Sequence, residues 1–261
     1  MDLGLEGETA IVTASSSGLG KASAASLVGE GANVVVCGRD QERLDGAVAD
    51  LRDLGAGEVV GVQADITDPD AIGGLVDATV EEFGGVDHVV TSAGGPPSGA
   101  FLDTSERDWY EAYDLLVMSL VRVLKESHDH LVESDAGTVT AITSTSVSEP
   151  IRGLVLSNAV RRGVVGLVKT VAREWAPDVR ANVVMPGPYE TNRLRNLVEA
   201  DVERGRYDTY EEGLEEKADA VPLDRVGQPG ELGDVVAFLA SERASFVTGA
   251  NVPVEGGRLR G

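Results

Sequence analysis

Two short stretches of this sequence hold residue types at spacings that can do chemistry. The first, Thr13-Ala14-Ser15-Ser16-Ser17-Gly18-Leu19-Gly20, follows an apolar run and leads into a helix beginning near Lys21. Glycines and small hydroxyl residues at a strand-to-helix turn let backbone N–H groups approach a pyrophosphate, and the helix N-terminus adds a partial positive charge. The second stretch, Gly38-Arg39-Asp40, closes another apolar run about twenty residues on, where a dinucleotide's adenosine ribose is read. An acidic side chain there hydrogen-bonds the 2′-hydroxyl of NAD, whereas an arginine neutralises the 2′-phosphate of NADP. Arg39 stands first after the glycine and favours NADP over NAD, but a shift of one residue at the strand end would bring Asp40 into place and reverse the preference.

The elements that must position these groups are legible in the hydrophobic pattern. Apolar, β-branched runs recur at Ala10-Ile11-Val12-Thr13, Asn33 to Cys37, Val59 to Gln63, Val86 to Thr91, Thr138 to Thr143, Asn182 to Met185 and Asn251 to Val254. They read as seven strands. Helical spacing lies between most of them, as in Ala159, Val160, Val164, Leu167, Val168, Val171 and Trp175, whose steps of three and four place them on one face. Continuous apolar strands alternating with helices indicate an α/β fold, a parallel sheet covered on both faces. No internal repeat or low-complexity linker divides the chain, so residues 1–261 read as a single domain. One charged insertion, from about Pro188 to Pro222, contributes no strand, although Leu194 to Val202 has helical character. At the carboxyl edge of a doubly wound sheet such a connection is expected to be a substrate lid, the alternative being a solvated helical hairpin.

The glycine turn resembles that of the short-chain dehydrogenase/reductase family, whose usual motif is Thr-Gly-x-x-x-Gly-x-Gly; Thr13, Gly18 and Gly20 match, and Ala14 replaces the first glycine. Further matches follow in order along nearly the whole chain. Ala64-Asp65-Ile66-Thr67 is similar to the family's adenine-contacting segment, and Thr91-Ser92-Ala93-Gly94 to its Asn-Asn-Ala-Gly. Pro186-Gly187-Pro188-Tyr189-Glu190-Thr191 is similar to the Pro-Gly segment beside the nicotinamide. Leu223 to Gly227, Phe238 to Ser241 and Thr248 to Gly257 resemble the C-terminal part of 3-oxoacyl carrier-protein reductases in particular. The resemblance implies a Rossmann fold with a seven-stranded, doubly wound parallel sheet. It also implies a cofactor site at Thr13, Ser15, Ser16, Ser17, Gly18, Leu19, Gly20, Arg39, Asp65, Ile66, Ala93, Gly94, Arg161, Pro186, Gly187 and Thr191. Assembly into a homo-oligomer, a tetramer or dimer, is implied as well.

Where the resemblance places its catalytic residues, this sequence departs from it. The family reduces a carbonyl with a Ser, a Tyr and a Lys, assisted by an Asn; hydride passes from the nicotinamide to carbon while the tyrosine protonates oxygen. Ser144, at the end of Gly137 to Ser144, keeps the serine. Thirteen residues on, the tyrosine position holds Ser157, the lysine position holds Arg161, and the asparagine position holds Leu116. No tyrosine falls between residues 114 and 188. Tyr189 is the only tyrosine with a motif-based reason to be near, as a replacement acid or as packing at the pocket. An aliphatic hydroxyl can relay a proton but cannot hold the anionic form that a tuned phenol adopts. Arg161 suits ribose hydroxyls or a developing alkoxide, not proton exchange. Arg152 and Arg162 flank this segment and could take an anionic substrate, Arg162 being equally consistent with a surface residue. His88, His128 and His130 lack metal-ligand companions, and no metal is expected.

Composition bounds the partners. Asp and Glu number 44 against 22 Lys and Arg, for a formal net charge of -22. So negative a surface repels phosphate backbones and anionic lipid, which argues against nucleic-acid and membrane binding. Only four lysines accompany the carboxylates, a balance resembling proteins of salt-loving organisms, where molar salt screens self-repulsion. Cys37, the single cysteine, lies in an apolar run and fits a reducing, cytoplasmic setting. No stretch has the pattern of a signal peptide or of a bilayer-spanning helix. Two functions stay open: NADP(H)-linked reduction of a carbonyl or oxidation of an alcohol at an altered Ser144, Ser157 and Arg161 site, or a catalytically impaired NADP(H)-binding regulatory or structural partner. Either must hold a polyanion within an acidic field, so local donors carry the binding. Titration with NADPH at rising NaCl is expected to show affinity holding or increasing toward molar salt; immediate loss on moderate addition would contradict this.

Overall fold

The computed structural model describes residues 2–260. Among them, seven short strands form one sheet: β1 (Thr9–Val12), β2 (Asn33–Gly38), β3 (Val59–Gln63), β4 (His88–Thr91), β5 (Thr138–Ile142), β6 (Arg180–Pro186) and β7 (Asn251–Val254). Their spatial order is β3-β2-β1-β4-β5-β6-β7, and every pairing is parallel. The inner strands lie between two layers of helices and read as unbroken apolar runs, Ile11, Val12, Val34, Val35 and Val36 being fully buried. The outer strands β3 and β7 alternate instead, because one face of each is wet.

The helices are α1 (Gly18–Gly29), α2 (Gln41–Arg52), α3 (Pro69–Phe83), α4 (Glu106–Tyr113), α5 (Ser119–Glu133), α6 (Val155–Glu174), α7 (Asn192–Glu203), α8 (Tyr210–Asp219) and α9 (Pro229–Ala240). On one face of the sheet Leu27 and Val28 of α1, Leu44 and Leu51 of α2, and Leu232 and Val236 of α9 pack together. On the other, Ile72 and Leu75 of α3, Leu120 and Val123 of α5, and Val164 and Val168 of α6 do the same. Among the described residues no helix is long and apolar enough to cross a membrane.

The insertion after β6 folds as α7 and α8, and the expected helix from Leu194 to Val202 falls within α7. The expected apolar face of α6 needs one correction: Ala159 is exposed, and the buried stripe continues from Val164 through Arg161 to Ser157. Steps of three and four residues carry the core-facing side of this helix into the polar end of the sheet.

Strand order reverses between β1 and β4, since β2 and β3 lie to one side of β1 and the later strands to the other. The loops leaving the carboxyl ends of β1 and β4 part there and open a crevice. The turn from β1 into α1 passes close under it. A Cβ added at Gly20 would lie 2.7 Å from the Ala14 carbonyl oxygen and 3.1 Å from the Ser15 Cα, both backbone atoms that cannot swing aside. Urea denaturation of Gly20→Ala is expected to show a loss of about 1–3 kcal/mol. Gly46→Ala, at an open position in α2, is expected to gain about 0.5–1 kcal/mol.

Candidate active site

The crevice is a cleft of about 1270 Å³ whose wall is drawn from the carboxyl ends of the strands and from α7 and α8. At its phosphate end two buried hydroxyls shape the turn. Ser15 Oγ donates to the Val12 carbonyl at 2.5 Å and accepts from Cys37 N–H at 3.0 Å. Thr13 Oγ1 donates to the Ser92 carbonyl at 2.7 Å and accepts from Ser92 N–H at 3.0 Å. Ala14, between them, is held at φ 46°, the left-handed region that favours glycine. Thr13, Ser15 and Gly20 thus lie behind the cleft wall and act on the backbone, whereas Ser16, Ser17, Gly18 and Leu19 face the cleft.

Helix α1 begins with no side-chain cap and no acidic residue in its first turn, whereas α2, α3, α4, α7 and α8 are each capped by a side-chain oxygen. Its first N–H groups, beside Gly18 at φ 60°, are available to an anion, so the residues present fit a dinucleotide pyrophosphate.

At the ribose end β2 stops at Gly38, where a Cβ would lie 2.8 Å from Ser16 Oγ. Asp40 caps α2, its Oδ1 accepting from Arg43 N–H at 3.0 Å. Arg39, Asp40 and Arg43 all line the cleft. Arg39 Nη1 is 4.0 Å from Asp65 Oδ2, and its side chain is 79% exposed, free to swing onto a ligand. Partial burial raises the Asp65 pKa, but hydrogen bonds from the Thr67 N–H and hydroxyl and the charge of Arg39 hold it below the usual value. Ile66, Ala93, Gly94, Pro186, Gly187 and Thr191 complete the expected wall, as Arg161 does at the inner end.

At that inner end Ser157 and Arg161 are each 7% exposed. Arg161 Nε donates to Ser157 Oγ at 3.1 Å, Nη1 to the Ile142 carbonyl at 3.4 Å, and Nη2 to the Gly94 carbonyl. Ser157 Oγ also lies 3.2 Å from Ser146 Oγ, and Ser144 Oγ accepts from Ser146 N–H at 3.1 Å. Three serines and one guanidinium therefore meet where the family pattern predicts a Ser, a Tyr and a Lys. Among the described residues no carboxylate lies within 4.0 Å of Arg161. Burial, then repulsion from Arg193, pulls its pKa down to about 10.

Tyr189 is not available as a replacement acid. Its hydroxyl donates to the Val254 carbonyl at 2.9 Å, and burial, followed by the charge of Glu231, pushes its pKa up to about 12. Leu116 is buried within a π-helical turn, Asp114–Met118, and Leu115 takes the cleft position, so the helix supplies no polar side chain there. Arg152 lines the cleft and is exposed, whereas Arg162 is an exposed residue of α6 away from the wall. Among the described residues no three His, Cys, Asp or Glu side chains form a possible metal site.

A family model described as enoyl-(acyl carrier protein) reductase matches residues 13–258. Tropinone reductase-like 3 of Erythroxylum coca is 36% identical over 253 residues, 97% of this chain and 93% of that protein. The chain belongs to the short-chain dehydrogenase/reductase family. L-sorbose reductase from Gluconobacter frateurii, solved with NADPH and L-sorbose, superposes with a TM-score of 0.94 at 28% identity over the whole of both chains. A short-chain oxidoreductase from Pseudomonas aeruginosa PAO1, solved without ligand and containing an atypical catalytic centre, gives 0.90 at 30% identity, covering 98% of this chain and 99% of that one.

Sequence reasoning missed five arginines in this short-chain dehydrogenase/reductase cleft, namely Arg43, Arg193, Arg204, Arg206 and Arg258, and two of them bear on the ligand ends. Arg43 repeats Arg39 at a spacing of four, a signal present in the sequence. Arg193 donates from Nη2 to the Pro96 carbonyl at 2.8 Å, and its guanidinium lies against Gly95. It stood in the charged insertion with nothing to distinguish it from its neighbours.

Proposed function

We propose that this protein is an NADP(H)-linked oxidoreductase that interconverts a carbonyl and an alcohol, using Ser157 and Arg161 in place of the family's tyrosine and lysine. The observation that carries the reading is the buried Arg161 guanidinium bonded to Ser157 Oγ at 3.1 Å on the cleft wall. NADPH, when bound, supplies a hydride equivalent to the carbonyl carbon. The chain's own groups then answer the charge that develops on oxygen. Arg161 donates to Ser157 Oγ, which leaves the serine O–H free to donate to a carbonyl oxygen in the cleft. The fixed positive charge of Arg161 stabilises the alkoxide in a site of low dielectric, and the proton arrives from solvent through Ser157. With no tuned phenol, turnover is expected to run about 10²–10⁴-fold below that of a site with a strong general acid.

Support for NADP over NAD comes from the end of β2. Asp40 is engaged as the α2 cap, and Arg39 and Arg43 are the charges presented to the cleft. Support for an electropositive site comes from the wall itself, where nine Arg and Lys residues face six Asp and Glu in a chain with the opposite balance. On this reading α7 and α8 form a substrate lid. The chain works as a homo-oligomer, a reading supported by the exposed Tyr110 and Tyr113 of α4 and by the fully exposed Phe246 before β7.

Fluorescence titration at high salt is expected to show NADPH binding at least tenfold tighter than NADH. Arg39→Asp should reverse that ratio; Asp40→Ala should keep it while losing the helix cap, about 0.5–2 kcal/mol by urea denaturation. Single-turnover oxidation of NADPH against a panel of ketones tests the chemistry: tight binding with no turnover on any substrate would make the chain a nucleotide-binding partner instead. The rate should be flat from about pH 6 to 9, because Arg161 keeps its charge across that range. Ser157→Tyr with Arg161→Lys should raise turnover about 10²-fold.

A further inference from the structure

We infer that Arg161 and Arg193 together hold a carboxylate on the substrate, next to the carbonyl that is reduced. The assignment rests on the oxidoreductase reading above and narrows its substrates to oxo acids. Most of the charges on the cleft wall are already answered. Arg204, Arg206 and Lys217 lie 3.9, 3.4 and 3.8 Å from Asp201, and Arg206 is also 3.3 Å from Glu216. Arg39 and Arg43 belong to the ribose end. Arg152, Arg258, Arg161 and Arg193 line the cleft with no carboxylate within 4.0 Å among the described residues, and of these four only Arg161 and Arg193 bond the segment from Gly94 to Pro96.

Both guanidiniums converge on one piece of chain. Arg161 bonds the Gly94 carbonyl, Arg193 bonds the Pro96 carbonyl, and a Cβ on Gly95 would come within 3.3 Å of Arg193 Nη2. The segment between them offers carbonyl dipoles but no negative charge. Arg161 uses three of its five N–H groups in the bonds described above, and Arg193 uses one. Donors therefore remain on both. Two like charges kept together and partly dried are costly unless an anion joins them; burial first, and the charge of Arg193 second, lower the proton affinity of Arg161. A carboxylate fits, since its two oxygens match forked donors. Because Arg161 also bonds Ser157, an anion shared by the two arginines places a neighbouring carbonyl beside the serine hydroxyl. The oxo group then lies at the 2 or 3 position of the acid. Arg193 is the second residue of α7, so the same anion ties this helix to the loop after β4.

The test uses the NADPH-loaded protein with 2-oxobutyrate and 3-oxobutyrate against their methyl esters, in the wild type and in Arg193→Gln. Wild-type kcat/KM is expected to favour the acids at least tenfold. Arg193→Gln should raise KM for the acids at least tenfold while leaving the esters and the NADPH Kd within twofold. Oxamate, a carboxylate that is not reduced, should bind the wild type by calorimetry and at least tenfold more weakly to the variant. Preference for the esters, or a variant that loses NADPH affinity and not acid affinity, would overturn the assignment and put Arg193 on the cofactor. Arginine-dependent oxamate binding with no turnover of any ketone would uphold the anion site and remove the oxidoreductase reading instead.

Discussion

The arrangement of the cleft depends on two hydroxyls that no solvent reaches. Ser15 ties the end of β1 to β2 by bridging Val12 and Cys37, and Thr13 ties it to β4 by bonding both backbone groups of Ser92. These bonds hold the turn between β1 and α1 as a rigid shelf at the point where strand order reverses. With the shelf fixed, the uncapped N–H groups of α1 point outward instead of being consumed locally. A site of this kind needs no side-chain charge to accept a phosphate, which matters in a chain of net charge -22.

The same economy of charge runs through the rest of the cleft. Carboxylates dominate the surface, yet several near the site are engaged: Asp40 in a helix cap, Asp65 by Thr67, and Asp201 by Arg204 and Arg206 just after α7 and by Lys217 of α8. Burial makes the difference between the arginines. On the surface a guanidinium is screened by water and salt, whereas Arg161, dried on the wall of the cleft, keeps a charge that only a ligand can answer.

Helix α6 links the core to the chemistry. Val171, Val168 and Val164 pack on the sheet, and the next two steps of the same stripe are Arg161 and Ser157. Any side chain at those two positions is delivered to the cleft by core packing alone. That explains how the two residues can differ from the family pattern while the packing of α6 on the sheet is kept.

All seven strands and the parallel doubly wound sheet were legible in the sequence, and most of the expected site residues line the cleft, because β-branched runs, glycine turns and their order are local properties of the chain. So were the departures at Ser157 and Arg161. Other decisions needed contacts between distant segments. Thr13 and Ser15 look like ligand-facing hydroxyls in a line of text, and only their bonds to β4 and β2 show them turned inward. Tyr189 reads as a candidate acid until its hydroxyl is seen on the Val254 carbonyl, 65 residues along the chain. Ala159 fits an apolar face by spacing, but the sheet fixes the rotation of α6 and leaves it exposed. Arg193 is one charge among many in a charged insertion, and its meeting with Arg161 across Gly94 to Pro96 is decided by where α7 lands. Spacing along a helix or strand follows from the backbone alone, whereas the pairing of charges follows from the whole packing.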